Sequence, residues 1–180
     1  MDRSLGMVRD EALAMTLLQR AQIRERSKLV APPAEIWPRI ASAEGINNEL
    51  MPIASLTFPA GWGGLDTDSL TRGEALFGST LKLFGILPID RHDFSFMRVT
   101  RERGFLEYSS SRMNRDWIHE RTLAPLEGGT EIVDRVFYRS RLPGFDRLSL
   151  PLLRFVFRHR HRKLRGFFGE MNPNAQDTSS

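Results

Sequence analysis

The feature that most constrains the fold is a run of short alternating segments followed by one long amphipathic segment. Four segments, 93–100, 104–112, 116–123 and 130–141, alternate polar and apolar residues and are predicted to be strands. Their joints are short and carry glycine or asparagine, which favours antiparallel neighbours. The segment 146–168 repeats apolar residues at spacings of three and four, which predicts one long helix. That helix is the element long enough to cover one face of the sheet.

The residues before this run predict a strand, two short helices and further strands. An alternating strand at 23–30 stops at a pair of prolines, and Pro33 suits the first turn of a helix over 34–41. A second short helix is predicted over 44–50, and a strand over 53–58. The order is that of an α+β domain in which a curved antiparallel sheet wraps around its last helix.

Two segments are less regular. The segment 75–89 is apolar and contains two glycines, and its pattern fits either a strand or a short helix. It belongs to a longer region, 61–88, that we expect to form the mouth of any pocket under the sheet. Pro151 lies in the predicted first turns of the long helix and is expected to move its start to about Ser149.

The length and composition predict a single domain with short additions at both ends. A chain of 180 residues, 41% of them hydrophobic, suits one domain, predicted at 20–169. Residues 1–19 are predicted to be an N-terminal extension and residues 170–180 a disordered tail. No segment approaches the roughly 20 apolar residues of a membrane span, and no signal peptide is recognised, so we expect a cytoplasmic protein.

Several classes of site are excluded by residue types. The chain has no cysteine, which excludes a disulfide scaffold, a thiolate metal site and a cysteine nucleophile. The four histidines lack zinc-ligand spacing, and we predict no metal and no cofactor. The basic segment 158–165 lacks interleaved stacking aromatics, so no nucleic-acid partner is predicted. It is either a solvated helix face or a surface for weak contact with an anionic membrane.

Five segments, in this order along the chain, carry a resemblance to a known superfamily. They read APPAEIW at 31–37, GFLE at 104–107, WIHER at 117–121, GTEIVDRV at 129–136 and FRHRHRKL at 157–164. The chain resembles the START / birch-pollen-allergen superfamily, also called SRPBCC or polyketide cyclase-like proteins, over about residues 21–169. The resemblance implies a helix-grip fold with an internal cavity. It does not imply one activity, since members include lipid carriers, hormone receptors, cyclases and quinone-binding proteins.

Strand alternation predicts a charged cluster on the inner face of the sheet. Arginines on the other face place Asp134 and Tyr138 inward on the last strand, and Trp117 places His119 and Arg121 inward on the strand before it. On the strand at 104–112 the two faces differ little in polarity. Glu107 is placed inward because it gains charged partners there. The cluster is either an ion-pair network that fixes strand register, an anchor for the polar end of a ligand, or an acid–base group built on His119 with Glu107 or Asp134.

The function predicted from these features is binding of a hydrophobic or amphipathic small molecule, such as a lipid, a quinone or a polycyclic compound. The alternative is an aromatase/cyclase or dehydratase-type enzyme. The predicted ligand-binding residues are Glu107, Trp117, His119, Arg121, Asp134, Tyr138, Phe157 and His161. The predicted apolar walls are Trp117, Leu123, Val136, Leu153, Phe157 and Leu164.

Overall fold

One antiparallel sheet forms the body of the computed structural model, which describes residues 3–65 and 75–171. Its seven strands lie in the order β1-β7-β6-β5-β4-β3-β2, so the first strand pairs with the last. The elements in chain order are α1 (Arg3–Leu18), β1 (Ile23–Leu29), α2 (Pro33–Ile40), α3 (Ala43–Leu50), β2 (Ala54–Leu56), β3 (Ala75–Leu83), β4 (Leu87–Thr100), β5 (Gly104–Ser111), β6 (Asn114–Leu126), β7 (Gly129–Ser140) and α4 (Phe145–Phe168).

The sheet curls into a half-barrel around α4, which confirms the predicted helix-grip fold. The predicted short helices are present as α2 and α3. Pro33 occupies the first turn of α2, and the Ser42 hydroxyl caps α3 by accepting the Gly45 N–H at 3.1 Å. These local signals explain why both short helices were predictable from the sequence.

The start of α4 differs from the prediction. The helix begins at Phe145 and continues through Pro151, instead of beginning near Ser149. Its first turn is held by side chains, because the Tyr138 hydroxyl donates to the Asp146 carbonyl and the Ser149 hydroxyl donates to the Phe145 carbonyl. These two bonds fix the side chains of Tyr138 and Ser149 against the first turn of α4, ahead of the proline.

The segment that fitted both strand and helix forms two strands joined by a tight hairpin. β3 ends at Leu83 and β4 begins at Leu87, six residues before the predicted start at position 93. Phe84 and Gly85 have positive φ angles of 52° and 74°, which allow the chain to reverse in this turn. Of the predicted mouth region 61–88, residues 66–74 lie outside the described residues, as do residues 172–180 of the predicted tail.

Both faces of the sheet bury apolar side chains. On the inner face, Ile36 of α2 and Leu164 of α4 belong to one cluster with Ile132 of β7. On the outer face, Leu18 of α1 packs with Leu106 of β5, in a cluster completed by Ala14, Met97 and Ile118. The predicted N-terminal extension therefore contains a helix packed on the sheet. In the described part of the chain, no helix is both long and apolar enough to cross a membrane.

Candidate functional site

A cavity of about 250 Å³ lies between the inner face of the sheet and helices α3 and α4. Most of its lining is apolar, contributed by α3, β2 to β6 and α4. The polar lining residues are Asp90, His92, Glu107, Asn114, His119, Ser149 and Arg160. An apolar enclosure with a few convergent polar groups is typical of a small-molecule site.

Glu107 of β5 is the carboxylate at the centre of the polar part of this lining. His92 Nε2 lies 2.7 Å from Glu107 Oε1, and His119 Nδ1 lies 3.7 Å from Glu107 Oε2. Burial alone would raise the pKa of Glu107, but His119 and His92 outweigh it and lower the pKa to about 2. Glu107 is therefore ionised at neutral pH, and the two imidazoles stabilise its charge.

Arg121 and Asp134 form a buried bidentate ion pair across β6 and β7. Arg121 Nε donates to Asp134 Oδ1 and Arg121 Nη2 donates to Asp134 Oδ2, both at 2.7 Å. Burial would raise the pKa of Asp134, but the Arg121 guanidinium and His119 hold it well below its usual value. The pKa of Arg121 is raised in turn by Asp134 and Glu49, against the effect of burial. Both side chains are therefore charged at neutral pH.

Glu49 connects the Arg121–Asp134 pair to helices α3 and α4. Arg121 Nη1 donates to the Glu49 carboxylate of α3 at 3.0 Å, and Arg160 Nε of α4 donates to it at 2.9 Å. The Arg160 guanidinium also lies 5.2 Å from the centre of the Phe157 ring. Two carboxylates and two guanidinium groups thus neutralise one another and join α3, α4 and the sheet.

His119 and His161 complete the hydrogen bonding of Asp134. His119 Nε2 lies 3.0 Å from Asp134 Oδ1, and His161 Nε2 lies 3.2 Å from Asp134 Oδ2. Since a carboxylate can only accept, both Nε2 atoms carry the hydrogen. The other ring nitrogen of His161 lies 2.8 Å from Ser27 Oγ, which also accepts from Arg165. Ser27 can therefore donate to a neutral His161.

The structure divides the eight predicted ligand-binding residues into two groups. Glu107, Trp117, His119 and Phe157 border the cavity. The other four, Arg121, Asp134, Tyr138 and His161, do not border it. The hydrogen-bonding groups of Arg121, Asp134 and His161 are occupied by protein partners, and the Tyr138 hydroxyl binds the start of α4. We therefore restrict the candidate ligand contacts among these eight residues to the first group.

The predicted walls divide in a similar way. Trp117, Leu153 and Phe157 border the cavity, whereas Leu123, Val136 and Leu164 lie in the surrounding apolar core. Trp117 lies near the start of β6, and Leu153 and Phe157 lie within the first 13 residues of α4. Leu123, Val136 and Leu164 are buried among other apolar side chains and do not border the cavity.

Four ionisable residues of the site, Asp90, His92, Arg160 and Glu49, were not predicted, although a signal existed for the first three. His92 shares a strand face with Asp90, Phe94 and Phe96, and all four border the cavity. The alternation was visible, but the strand was predicted to begin at position 93. Arg160 follows Phe157 by three residues, which places it on the inner face of α4. Glu49 of α3 gave no signal, because its partners come from distant segments.

The basic segment 158–165 does not form one surface. Arg160 and His161 are buried, and Arg165 is half-buried against Ser27 and Glu170. Arg158, Arg162 and Lys163 remain exposed. Within residues 3–65 and 75–171, no group of three histidine, aspartate or glutamate side chains could hold a metal ion.

Comparisons with known proteins place these features in a family. The chain resembles solved structures of a START superfamily protein from Mycobacterium smegmatis (TM-score 0.59, 11% identity, 81% of this chain and 95% of that chain) and of Ara h 8.0201 (0.52, 13%, 80% and 97%). DynU16, from the dynemicin biosynthetic locus, is similar at TM-score 0.52 and 18% identity, over 83% of this chain and 49% of that chain. No curated protein matches the sequence. The family model described as domain of unknown function DUF8410 matches residues 27–168, so the chain belongs to that family and has the START / birch-pollen-allergen (SRPBCC) fold.

Proposed function

We propose that this protein binds a hydrophobic or amphipathic small molecule, such as a lipid, a quinone or a polycyclic compound, in the cavity under α4. The observation that carries the proposal is the cavity itself, about 250 Å³ of space with a mainly apolar lining and one polar region around Glu107. Burial of apolar ligand surface there would supply the binding free energy, at about 25 cal/mol per Å² before the costs of association. The START-like and Ara h 8-like folds of its structural neighbours support the same class of function.

The test is binding of N-phenyl-1-naphthylamine, a neutral apolar fluorophore, combined with native mass spectrometry of protein purified without added ligand. We expect a fluorescence increase on binding and a co-purifying apolar mass. Leu153→Trp fills the cavity and should weaken dye binding by about tenfold or more. Leu148→Trp is the matched control, because Leu148 on the same helix is 75% exposed. Equal dye affinity in both variants would contradict binding in this cavity.

A second candidate is an aromatase/cyclase or dehydratase-type enzyme, as predicted from the sequence. Two imidazoles, of His92 and His119, border the cavity, and both contact Glu107. Asp134 is saturated and lies outside the lining, so Glu107 is the carboxylate near His119 that a substrate in the cavity could also contact. An aromatic polyketide is the test substrate for an aromatase/cyclase, and the similar structure of DynU16, from a biosynthetic locus, supports testing the enzyme class.

The His119→Gln variant tests this second candidate. We expect it to keep the dye affinity of the wild type while turnover of an aromatic polyketide falls by about a hundredfold or more. His159→Gln is the control, since His159 lies outside the cavity lining and its Nε2 contacts the Met51 carbonyl oxygen. Unchanged turnover in His119→Gln would exclude this histidine as the acid–base group.

We also propose weak membrane contact through segment 158–165 and a cytoplasmic location. Arg158, Arg162 and Lys163 supply the exposed charge for such contact. Flotation with phosphatidylglycerol vesicles should then show binding at about 50 mM salt that is lost at about 500 mM, because exposed charges are screened. Cell fractionation should recover the protein with the cytosol.

A further inference from the structure

The charge balance around the cavity points to the chemical class of the ligand. Arg121 and Arg160 are the buried guanidinium groups beside the site. Arg121 donates to Asp134 and Glu49, and Arg160 donates to Glu49. Those four groups carry no net charge together. Glu107 is the third carboxylate of the cluster, and in the part of the chain that the structure describes its ion-pair partners are both imidazoles. Among the described residues, Glu107 therefore has no guanidinium or ammonium group as an ion-pair partner.

Glu107 also retains hydrogen-bonding capacity toward the cavity. Its Oε1 atom is engaged by His92 at 2.7 Å, but Oε2 has His119 Nδ1 at 3.7 Å, beyond hydrogen-bond distance. A carboxylate has about four acceptor positions, and Glu107 borders the cavity while its side chain is only 4% exposed. A ligand that donates a hydrogen to Oε2 would satisfy this acceptor in a site largely screened from water.

A second carboxylate borders the same cavity. Asp90 Oδ1 accepts the backbone N–H groups of Arg91 and Met113, at 2.8 and 3.2 Å. The cation of the lining is Arg160, whose Nε already donates to Glu49 and whose guanidinium stacks on Phe157. A ligand carboxylate would thus approach two acceptors of its own sign, and like charges repel strongly in a low-dielectric enclosure.

We propose that Glu107, held by His92 and His119, accepts a hydrogen bond from a ligand hydroxyl, so that the cavity selects neutral alcohols or phenols with an apolar body over the corresponding carboxylates. The inference rests on the proposed function, since it requires that the cavity binds a small molecule. It adds which ligands are preferred. Neutral hydroxyl ligands are attracted by hydrogen bonding, and carboxylates are repelled.

The test compares 2-naphthol with 2-naphthoate, which share an apolar body and differ in the polar group. At pH 7 the phenol is neutral and the carboxylate is ionised. Affinities are measured by calorimetry and by displacement of N-phenyl-1-naphthylamine. We expect the wild type to bind 2-naphthol at least about tenfold more tightly than 2-naphthoate. Equal binding, or tighter binding of 2-naphthoate, would overturn the inference and would indicate an anion site at Arg160.

Glu107→Gln tests whether this side chain is the cause. The amide keeps an acceptor but removes the charge, so 2-naphthoate should gain affinity and the ratio should fall to about threefold or less. A gain in affinity cannot result from partial misfolding. Glu120→Gln is the control, because Glu120 is a buried carboxylate on the opposite face of the sheet, and its ratio should match that of the wild type. An unchanged ratio in Glu107→Gln overturns the assignment to Glu107.

The design separates the two proposals. If the neutral dye binds but the two naphthyl compounds do not differ, the binding function stands and the selectivity inference is overturned. If the dye and both naphthyl compounds fail to bind, the cavity does not take up apolar molecules and both proposals are overturned.

Discussion

Two adjacent cross-strand ion pairs of β6 and β7 face opposite sides of the sheet. Arg121 pairs with Asp134 on the inner face, and Glu120 pairs with Arg135 on the outer face. The inner pair is fully buried, whereas the Arg135 side chain is 29% exposed. Each pair joins an arginine to a carboxylate at directly opposed positions of the same two strands, so the main difference between the pairs is in their surroundings.

The inner pair depends on other elements in a way that the outer pair does not. Asp134 accepts from Arg121, His119 and His161, and Arg121 also donates to Glu49. Buried charges persist only when their hydrogen bonds are complete, so four elements are held in place by this pair. On the outer face water can solvate Arg135, and Glu120 has Arg98 at 3.6 Å as a second partner. An arginine–carboxylate pair is therefore part of a buried structural network on one face of the sheet and a partly solvated ion pair on the other.

The largest expected effect is that of breaking the inner pair. Arg121→Met leaves Asp134 and Glu49 buried without their main partner, and we expect the free energy of unfolding to fall by about 3–5 kcal/mol. Urea unfolding followed by circular dichroism measures this change. A loss below about 1 kcal/mol would mean that the inner pair is no more important than the outer one.

Glu107 should make the inner face sensitive to acid. Its pKa is lowered from 4.5 to about 2 in the folded protein. A carboxyl group with a lowered folded-state pKa contributes stability above its unfolded pKa, and the contribution is lost as the pH falls toward its folded pKa. The difference in unfolding free energy between wild type and Glu107→Gln should therefore shrink by about 3 kcal/mol between pH 6 and pH 2. Urea unfolding at several pH values measures it.

Glu120→Gln is the matched control for this acid dependence. Its carboxyl group lies on the other face of the same sheet. Because Glu107 is intact in this variant, the loss of stability that Glu107 causes in acid should be the same as in the wild type. A difference between wild type and Glu107→Gln that stays constant from pH 6 to pH 2 would contradict a lowered pKa for Glu107.

Breaking the outer pair should cost less. Arg135→Met leaves Glu120 with Arg98 as a partner and with access to water, and we expect a loss of about 1 kcal/mol in the free energy of unfolding. The same urea titration compares it directly with Arg121→Met. A loss as large as that of Arg121→Met would show that exposure does not distinguish the two pairs.

The smallest effect is expected at an ion pair that is exposed. Arg26 lies 3.4 Å from Glu131, and its side chain is 67% exposed. Arg26→Met should change the free energy of unfolding by less than about 0.5 kcal/mol, and its effect should vanish at high salt. A larger change would contradict the expectation that an exposed ion pair contributes little to the free energy of unfolding.

The site was partly predictable because strands have a period of two. Alternation along β6 and β7 placed His119, Arg121 and Asp134 on one face, and the structure brings them within hydrogen-bond distance. On β5 the pattern gave little contrast, because α1 buries Leu106 on the outer face while Glu107 is buried on the inner face. Alternation fails wherever both faces of a strand are covered.

The order of elements and the charged face of the sheet could be predicted from the sequence, because they follow from local periodicity, proline positions and turn residues, and the resemblance added the helix-grip fold. Which charged residues border open space depends on the tertiary structure. Glu49 of α3 and His161 of α4 approach from two different helices and complete the hydrogen bonding of Arg121 and Asp134, so that Glu107 with His92 and His119 remains at the cavity wall. Hydrogen-bond saturation depends on contacts between segments far apart in the chain, and a local pattern carries no information about such contacts.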